Sequence, residues 1–182
     1  VTWAEVAKWH DFTGGQWAIK GSLVNTPFFR DAPLRPEFKD RQRVMPDAAA
    51  NGCAPHGFPS LIGGEFFYAR DSILLMADFD YLVFRRIYMD GRSHDDADPT
   101  YYGHSVGHWE GKTLVVDTAA FLPEVSLAGI SGHGEATHAV ERYEPIDAKT
   151  LKLTITFTNP EVLTGPWTVQ KTLVRLPDLE VR

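Results

Sequence analysis

The chain has 182 residues, with 18 Lys and Arg against 24 Asp and Glu and a formal net charge of −6. That length suits a single domain with a real core, and the scattered cations exclude the basic footprint of a nucleic-acid binder. No apolar run approaches the roughly 20 residues that would span a bilayer, and the single cysteine, Cys53, excludes an intrachain disulfide.

The chain opens on Val1 rather than Met, as expected of a processed mature protein. Trp3, Val6 and Trp9 have near-helical spacing and suggest a short amphipathic turn, broken at Gly14-Gly15 before Gln16–Ile19. From Thr26 to Pro59 six prolines punctuate the sequence. One helix around Pro36–Ala50 is expected there, since Pro is tolerated at a first helical position, within an otherwise irregular segment. The expected organisation is therefore one domain over 1–182, with 1–64 wrapping a β core of 65–182.

From Glu65 the texture changes to strands. Phe66–Ala69, Ser72–Phe79 and Tyr81–Met89 are rich in aromatic and branched residues. His104–Trp109 and Thr113–Thr118 flank Glu110-Gly111-Lys112, where Gly supplies the positive φ of a tight turn. Thr137–Glu144 and Leu151–Thr158 form a second hairpin, and Trp167–Leu176 ends the series. Leu151, Leu153, Ile155 and Phe157 alternate strictly with Lys152, Thr154, Thr156 and Thr158, the clearest strand signal in the chain. Seven or eight strands with short connections must cover an apolar face. The expected fold is mainly β, an antiparallel up-and-down β-barrel of lipocalin-like shape with room for one small ligand. A two-sheet sandwich is the alternative.

Titratable side chains concentrate between Arg85 and Arg142, and five of the seven histidines fall between 94 and 138. Metal binding finds little support: His104 and His108 are four apart, roughly 13 Å along a strand, and no HExxH occurs. A site assembled from separate strands stays open. Gly103-His104-Ser105-Val106-Gly107 is not a nucleophile elbow, because its Ser lies within a strand. Cys53 near His56 reads as structural.

General acid–base chemistry fits these residue types best, since it needs a group titrating near neutrality, a partner fixing its tautomer and a donor for developing negative charge. The expected catalytic set is His104 as acid or base, then His138, with Asp90 or Glu141 orienting them and Arg86 holding an anion. Tyr88, Tyr101, Arg142, Trp109 and His94 are the substrate-binding candidates, although Trp109 and Trp167 also read as core and His94-Asp95-Asp96 as a turn. This assignment places Phe84, Arg86 and Tyr88, and likewise His138, Val140 and Arg142, on inward faces; a one-residue slip inverts it. The arginines would then be surface ion-pair partners.

The run RRIYMDGRSH…DPTYYGHSVGHWEGKTLVVDTAAF, with the later GEATHAVERY and GPWTV, resembles a bacterial family of mostly uncharacterised, usually exported proteins over about half of the chain. The resemblance implies a shared motif set of Arg86, Asp90, Gly91, His94, His104, Ser105, Trp109, Asp117, His138, Glu141 and Arg142, and a periplasmic or secreted location. It departs at Lys112, where similar proteins carry Asp at an exposed turn. The functional expectation is a cofactor-independent lyase-, hydratase-, isomerase- or cyclase-type enzyme acting on a small apolar or aromatic substrate. A non-catalytic small-molecule carrier and a structural or interaction module are the alternatives, and a homo-oligomer is compatible with all three.

Overall fold

The computed structural model describes residues 12–13, 15–20, 31–40, 63–78, 82–127 and 130–176. The Trp3–Trp9 turn and Cys53 lie outside them, as does most of the helix expected over 36–50. Of that helix, Pro36–Phe38 is described and forms one 3-10 turn.

Among the described residues nine strands carry the fold: β1 (Gln16–Ile19), β2 (Glu65–Tyr68), β3 (Ser72–Asp78), β4 (Leu82–Tyr88), β5 (His104–Glu110), β6 (Thr113–Ala119), β7 (His138–Asp147), β8 (Thr150–Thr158) and β9 (Trp167–Leu176). They form a single sheet in the order β1-β9-β8-β7-β6-β5-β4-β3-β2. The eight strands from residue 65 onward lie where the alternation places them. Gln16–Ile19, expected within the wrapping segment, instead joins the sheet edge by pairing with β9.

Two features depart from an up-and-down barrel. The outermost strands meet at one point, where Trp17 and Gly64 exchange backbone hydrogen bonds of 2.8 Å in both directions; no strand ladder joins β1 to β2, so the sheet is rolled without being closed along its edge. In addition, β4 and β5 run parallel, through the pairs Ile87–Ser105 and Tyr88–Val106. A parallel pair cannot be joined by a tight hairpin. The chain from Met89 to Gly103 has to travel back along the sheet before β5 begins.

One face of the sheet makes the core. Leu151, Leu153, Ile155 and Phe157 of β8 are at most 1% exposed, and they pack with Leu114, Val116, Tyr143, Ile87, Phe66 and Trp17. Trp109 of β5 also packs against this core, its ring edge-on to Phe12 at 5.6 Å. The opposite, outer face carries the polar halves of the same strands. No helix among the described residues is long and apolar enough to cross a membrane.

Candidate functional site

Alternation assigns faces on β4 and β7 opposite to those expected. On β4, Val83, Arg85 and Ile87 are buried while Leu82, Phe84 and Arg86 are exposed. On β7, Ala139, Glu141 and Tyr143 are fully buried, and His138, Val140 and Arg142 lie outward. The slip is one residue, and it moves every side chain to the other face. Two separate polar constellations result.

The core-face constellation centres on Arg85. Its Nε donates to Ser105 Oγ at 3.0 Å, Nη1 to Glu141 Oε1 at 3.0 Å, and Nη2 to Thr118 Oγ1 at 2.7 Å and also to Glu141 Oε2. The Tyr143 hydroxyl donates to Glu141 Oε1 at 2.9 Å, and the Ser105 and Thr118 hydroxyls share a bond of 3.1 Å. Arg85 is 2% exposed and Glu141 0%. Burial opposes the Arg85 charge, but the adjacent Glu141 carboxylate outweighs it and raises the Arg85 pKa; burial, then Glu141, pushes the Tyr143 hydroxyl well up. Glu141, expected to orient a histidine, is committed to Arg85 on the opposite side of the sheet from His104 and His138. The network ties four adjacent strands at one level and neutralises a charge that would otherwise be prohibitive to bury.

The outer-face constellation is a chain of three imidazoles and one carboxylate. His94 comes from the crossover between β4 and β5, His104 from β5, Asp117 from β6 and His138 from β7. Asp117 Oδ1 lies 2.6 Å from His138 Nε2 and 3.2 Å from His94 Nε2. The Nδ1 atoms of His94 and His104 are 2.8 Å apart, with the rings edge to face. These groups share a face because Ala119, across from His104, is two residues from Asp117, and Val140, across from Asp117, is two residues from His138. Gly103 permits the close entry of the crossover into β5: its φ is +68°, and a Cβ there would sit 2.7 Å from the Ala119 carbonyl oxygen.

Hydrogen-bond accounting assigns the protons. An ionised Asp117 only accepts, so His138 and His94 each present Nε2–H to it. A neutral His94 then has a lone pair on Nδ1, and His104 Nδ1–H must donate to it. His104 Nε2 is left with a lone pair and no further partner among the described residues. The Asp117 hydrogen bond raises the His138 pKa, and the same bond depresses Asp117. Partial burial, followed by repulsion from His94 and Arg92, lowers the His104 pKa.

The remaining candidates surround or leave this site. Tyr88 lies against His104, ring centroids 5.1 Å apart, and the Arg92 guanidinium covers the Tyr88 ring at 3.7 Å. Asp90 does not orient a histidine by direct contact; its carboxylate is held by Arg92 at 2.5 to 3.1 Å and is lowered to about 2 by that bond. Arg86 is exposed, 5.9 Å from the Tyr88 ring, and has no ion-pair partner among the described residues. Arg142 pairs with Glu110 at 2.8 Å, a carboxylate it shares with His108 and not with His94, His104 or His138. Tyr101 and Trp109 are half-buried and pack against the core. His108 contacts Glu110, and His133 contacts Glu161 and the Phe38 ring. Reasoning from residue types gave no role to Asp117, whose position among outward residues of TLVVDTA was readable, nor to Arg85, Ser105, Thr118 and Tyr143.

Among the described residues no group of three or more His, Cys, Asp or Glu is arranged to hold a metal ion. No known protein-family model, curated protein or solved structure matches the chain.

Proposed function

We propose that the protein is an acid–base catalyst whose working groups are His104, His94 and Asp117, acting on a small apolar or aromatic molecule at the outer face of β4–β7. The observation that carries this reading is the chain of contacts Asp117–His94–His104, which ends in an imidazole nitrogen with no partner among the described residues. In this reading His104 Nε2 takes a proton from substrate carbon or oxygen. The Nδ1 proton of His104 passes to His94 Nδ1, and the resulting His94 imidazolium is stabilised by the Asp117 carboxylate. Reversal returns the proton at a neighbouring carbon in an isomerisation, or delivers it to the departing hydroxyl in an elimination of water. A carboxylate that orients one imidazole, which in turn sets the tautomer of a second, extends the usual logic of base activation. His138 is a positioning residue, holding Asp117 ionised from its far side. The bridge between Trp17 and Gly64 supports a barrel-like roll as the scaffold, with the site outside its packed interior.

The test is deuterium incorporation from heavy water into a panel of enolisable aryl and alkyl ketones, followed by proton NMR. Exchange is expected to fall by about 10²- to 10⁴-fold in His104→Gln. It should fall less in His138→Gln, with a shifted pH profile, and the acid limb should have its midpoint below the usual imidazole value of 6.5. Exchange indifferent to His104→Gln, or undetectable across the panel above the buffer rate, would remove the reading.

A further inference from the structure

The outer face of β2–β4 is largely apolar where an outer face is ordinarily polar, with Glu65 beside Met76 in the row away from Arg86. Phe84 is 56% exposed, Leu82 48% and Phe67 38%. Register makes these neighbours. Phe67 pairs with Leu74, and Leu74 with Arg86; one step along, Met76 pairs with Phe84. Ile73, Leu75, Val83, Arg85 and Phe66 on the same strands are buried, so alternation points Phe67, Leu74, Met76, Phe84 and Arg86 outward. Aromatic and branched side chains exposed together on adjacent strands mark a binding surface more often than isolated exposed residues do.

The strip ends at a cation and then at the relay. Arg86 follows Leu74 across the sheet, lies near the Tyr88 ring, and has no ion-pair partner among the described residues. The next strand beyond Arg86 is β5, with His104 against Tyr88. At about 4.8 Å per strand, the row from Phe67 to Arg86 is about 10 Å long, and His104 lies one further strand away.

We infer that this strip is the substrate-recognition surface of the acid–base site and takes an apolar organic anion about 10 Å long. Its hydrocarbon or aromatic body lies on Phe67, Leu74 and Phe84, and its anionic oxygen meets Arg86. The inference rests on the proposed catalytic role for its chemistry, but the binding step stands apart from it. Charge complementarity selects the occupant: a guanidinium with no ion-pair partner among the described residues, beside an apolar strip, favours a carboxylate or enolate over a neutral or cationic analogue of the same body. The bound oxygen then sits beside His104, where the carbon α to the oxygen-bearing carbon can surrender a proton to Nε2 and leave the enolate oxygen on Arg86.

Equilibrium binding of 2-naphthoate to the full chain, followed by ligand fluorescence, tests this directly, with 2-naphthylmethanol and 2-naphthylmethylammonium as matched probes. Naphthoate is expected to bind saturably and at least about fivefold more tightly than the alcohol, with the ammonium weakest. Arg86→Gln should weaken naphthoate by about five- to tenfold and leave the alcohol unchanged, whereas Phe84→Ser should weaken both by about tenfold. Arg142→Gln, whose partner is Glu110, should change neither. His104→Gln should abolish exchange chemistry while retaining naphthoate affinity, which separates failure of the binding surface from failure of the catalytic reading. Equal affinity for the three probes, or naphthoate binding indifferent to both Arg86→Gln and Phe84→Ser, overturns the inference. So does sedimentation showing that the strip is covered by a second copy, with Phe84→Ser dissociating the pair.

Discussion

Replacing Glu141 by Gln keeps the shape of the core-face network and removes its negative charge. Arg85 would retain acceptors on Ser105 and Thr118, and Tyr143 could still donate to the amide oxygen. The guanidinium, 2% exposed, would have lost its counter-charge. Breaking a buried pair from one side costs about 3–5 kcal/mol, and at about 2–4 °C per kcal/mol for a chain of this size the midpoint of thermal unfolding should fall by roughly 6–20 °C. The double change Arg85→Met with Glu141→Leu should be far milder, because apolar replacement of a whole buried pair is neutral or stabilising by about 1–4 kcal/mol. It leaves the Tyr143 hydroxyl without its carboxylate acceptor, at a cost of about 1–3 kcal/mol, so the double variant should lie within about 3 kcal/mol of the parent, and adding Tyr143→Phe should recover the hydroxyl's share. Urea denaturation gives the energies, and NMR titration of the histidines supplies the second readout. Because Glu141 faces away from His94, His104 and His138, Glu141→Gln should leave their titrations within about half a pH unit. A double variant as unstable as the single one would refute the energetic argument. A displaced His104 titration in a folded Glu141→Gln protein would refute the assignment of faces.

Four further outcomes follow from the outer face. The His138 pKa is raised from 6.5 and that of Asp117 lowered from 3.8. The His138 contribution is therefore complete below 6.5 and lost as pH rises through the raised value. The Asp117 contribution is present above 3.8 and lost as pH falls through the depressed one. The stability difference between parent and Asp117→Asn should thus peak between 3.8 and 6.5 and stay below about 1 kcal/mol for these half-exposed groups. His104 acts in the opposite sense: with its folded pKa depressed, protonation favours the unfolded chain below 6.5, and His104→Gln should flatten the acid side of the stability curve. Arg92→Gln should return the Asp90 carboxyl from about 2 toward the usual 3.8, visible by carbon-detected NMR titration. Gly103→Ala should destabilise by about 1–3 kcal/mol through its positive φ and the contact with the Ala119 carbonyl, and should disturb His104 resonances more than Gly91→Ala does, since a Cβ at Gly91 meets nothing within 4 Å.

The strands were legible wherever one face is uniformly apolar. Leu151–Phe157 is the clearest case, and Gly111, with φ of 60°, marks the turn between β5 and β6 as expected. The alternation misleads on β4, because Leu82, Phe84 and Tyr88 form the more apolar half of LVFRRIY and yet face outward. Only Glu141, 56 residues away, makes Arg85 an acceptable inward residue, and no local pattern carries that information. His104 and His138 stood out as titratable groups on strands. Asp117 between them was hidden for a different reason, since its role depends on cross-strand register rather than on residue type. His94 sits among Asp95, Asp96 and Asp98 in what reads locally as a solvated turn, and its meeting with His104 depends on where the crossover lies.

That placement follows from one irregularity in the sheet. Had β4 and β5 been antiparallel neighbours, a short hairpin would have joined them at the sheet end, and residue 94 would have had no route to Asp117. The parallel pairing at Ile87–Ser105 and Tyr88–Val106 forces the chain back along the sheet. The contacts of Arg92 with Tyr88 and of His94 with His104 and Asp117 place that return over the outer face. The crossover thereby shelters His104 enough to depress its pKa while leaving Asp117 and His138 half-exposed. On the core face the charges are buried and paired with each other. Under the proposed function, stability and proton chemistry are divided between the two sides of the same four strands, Arg85 and Glu141 inward, His104 and Asp117 outward. Substitutions on one side should therefore move unfolding midpoints, and those on the other side titrations and exchange rates.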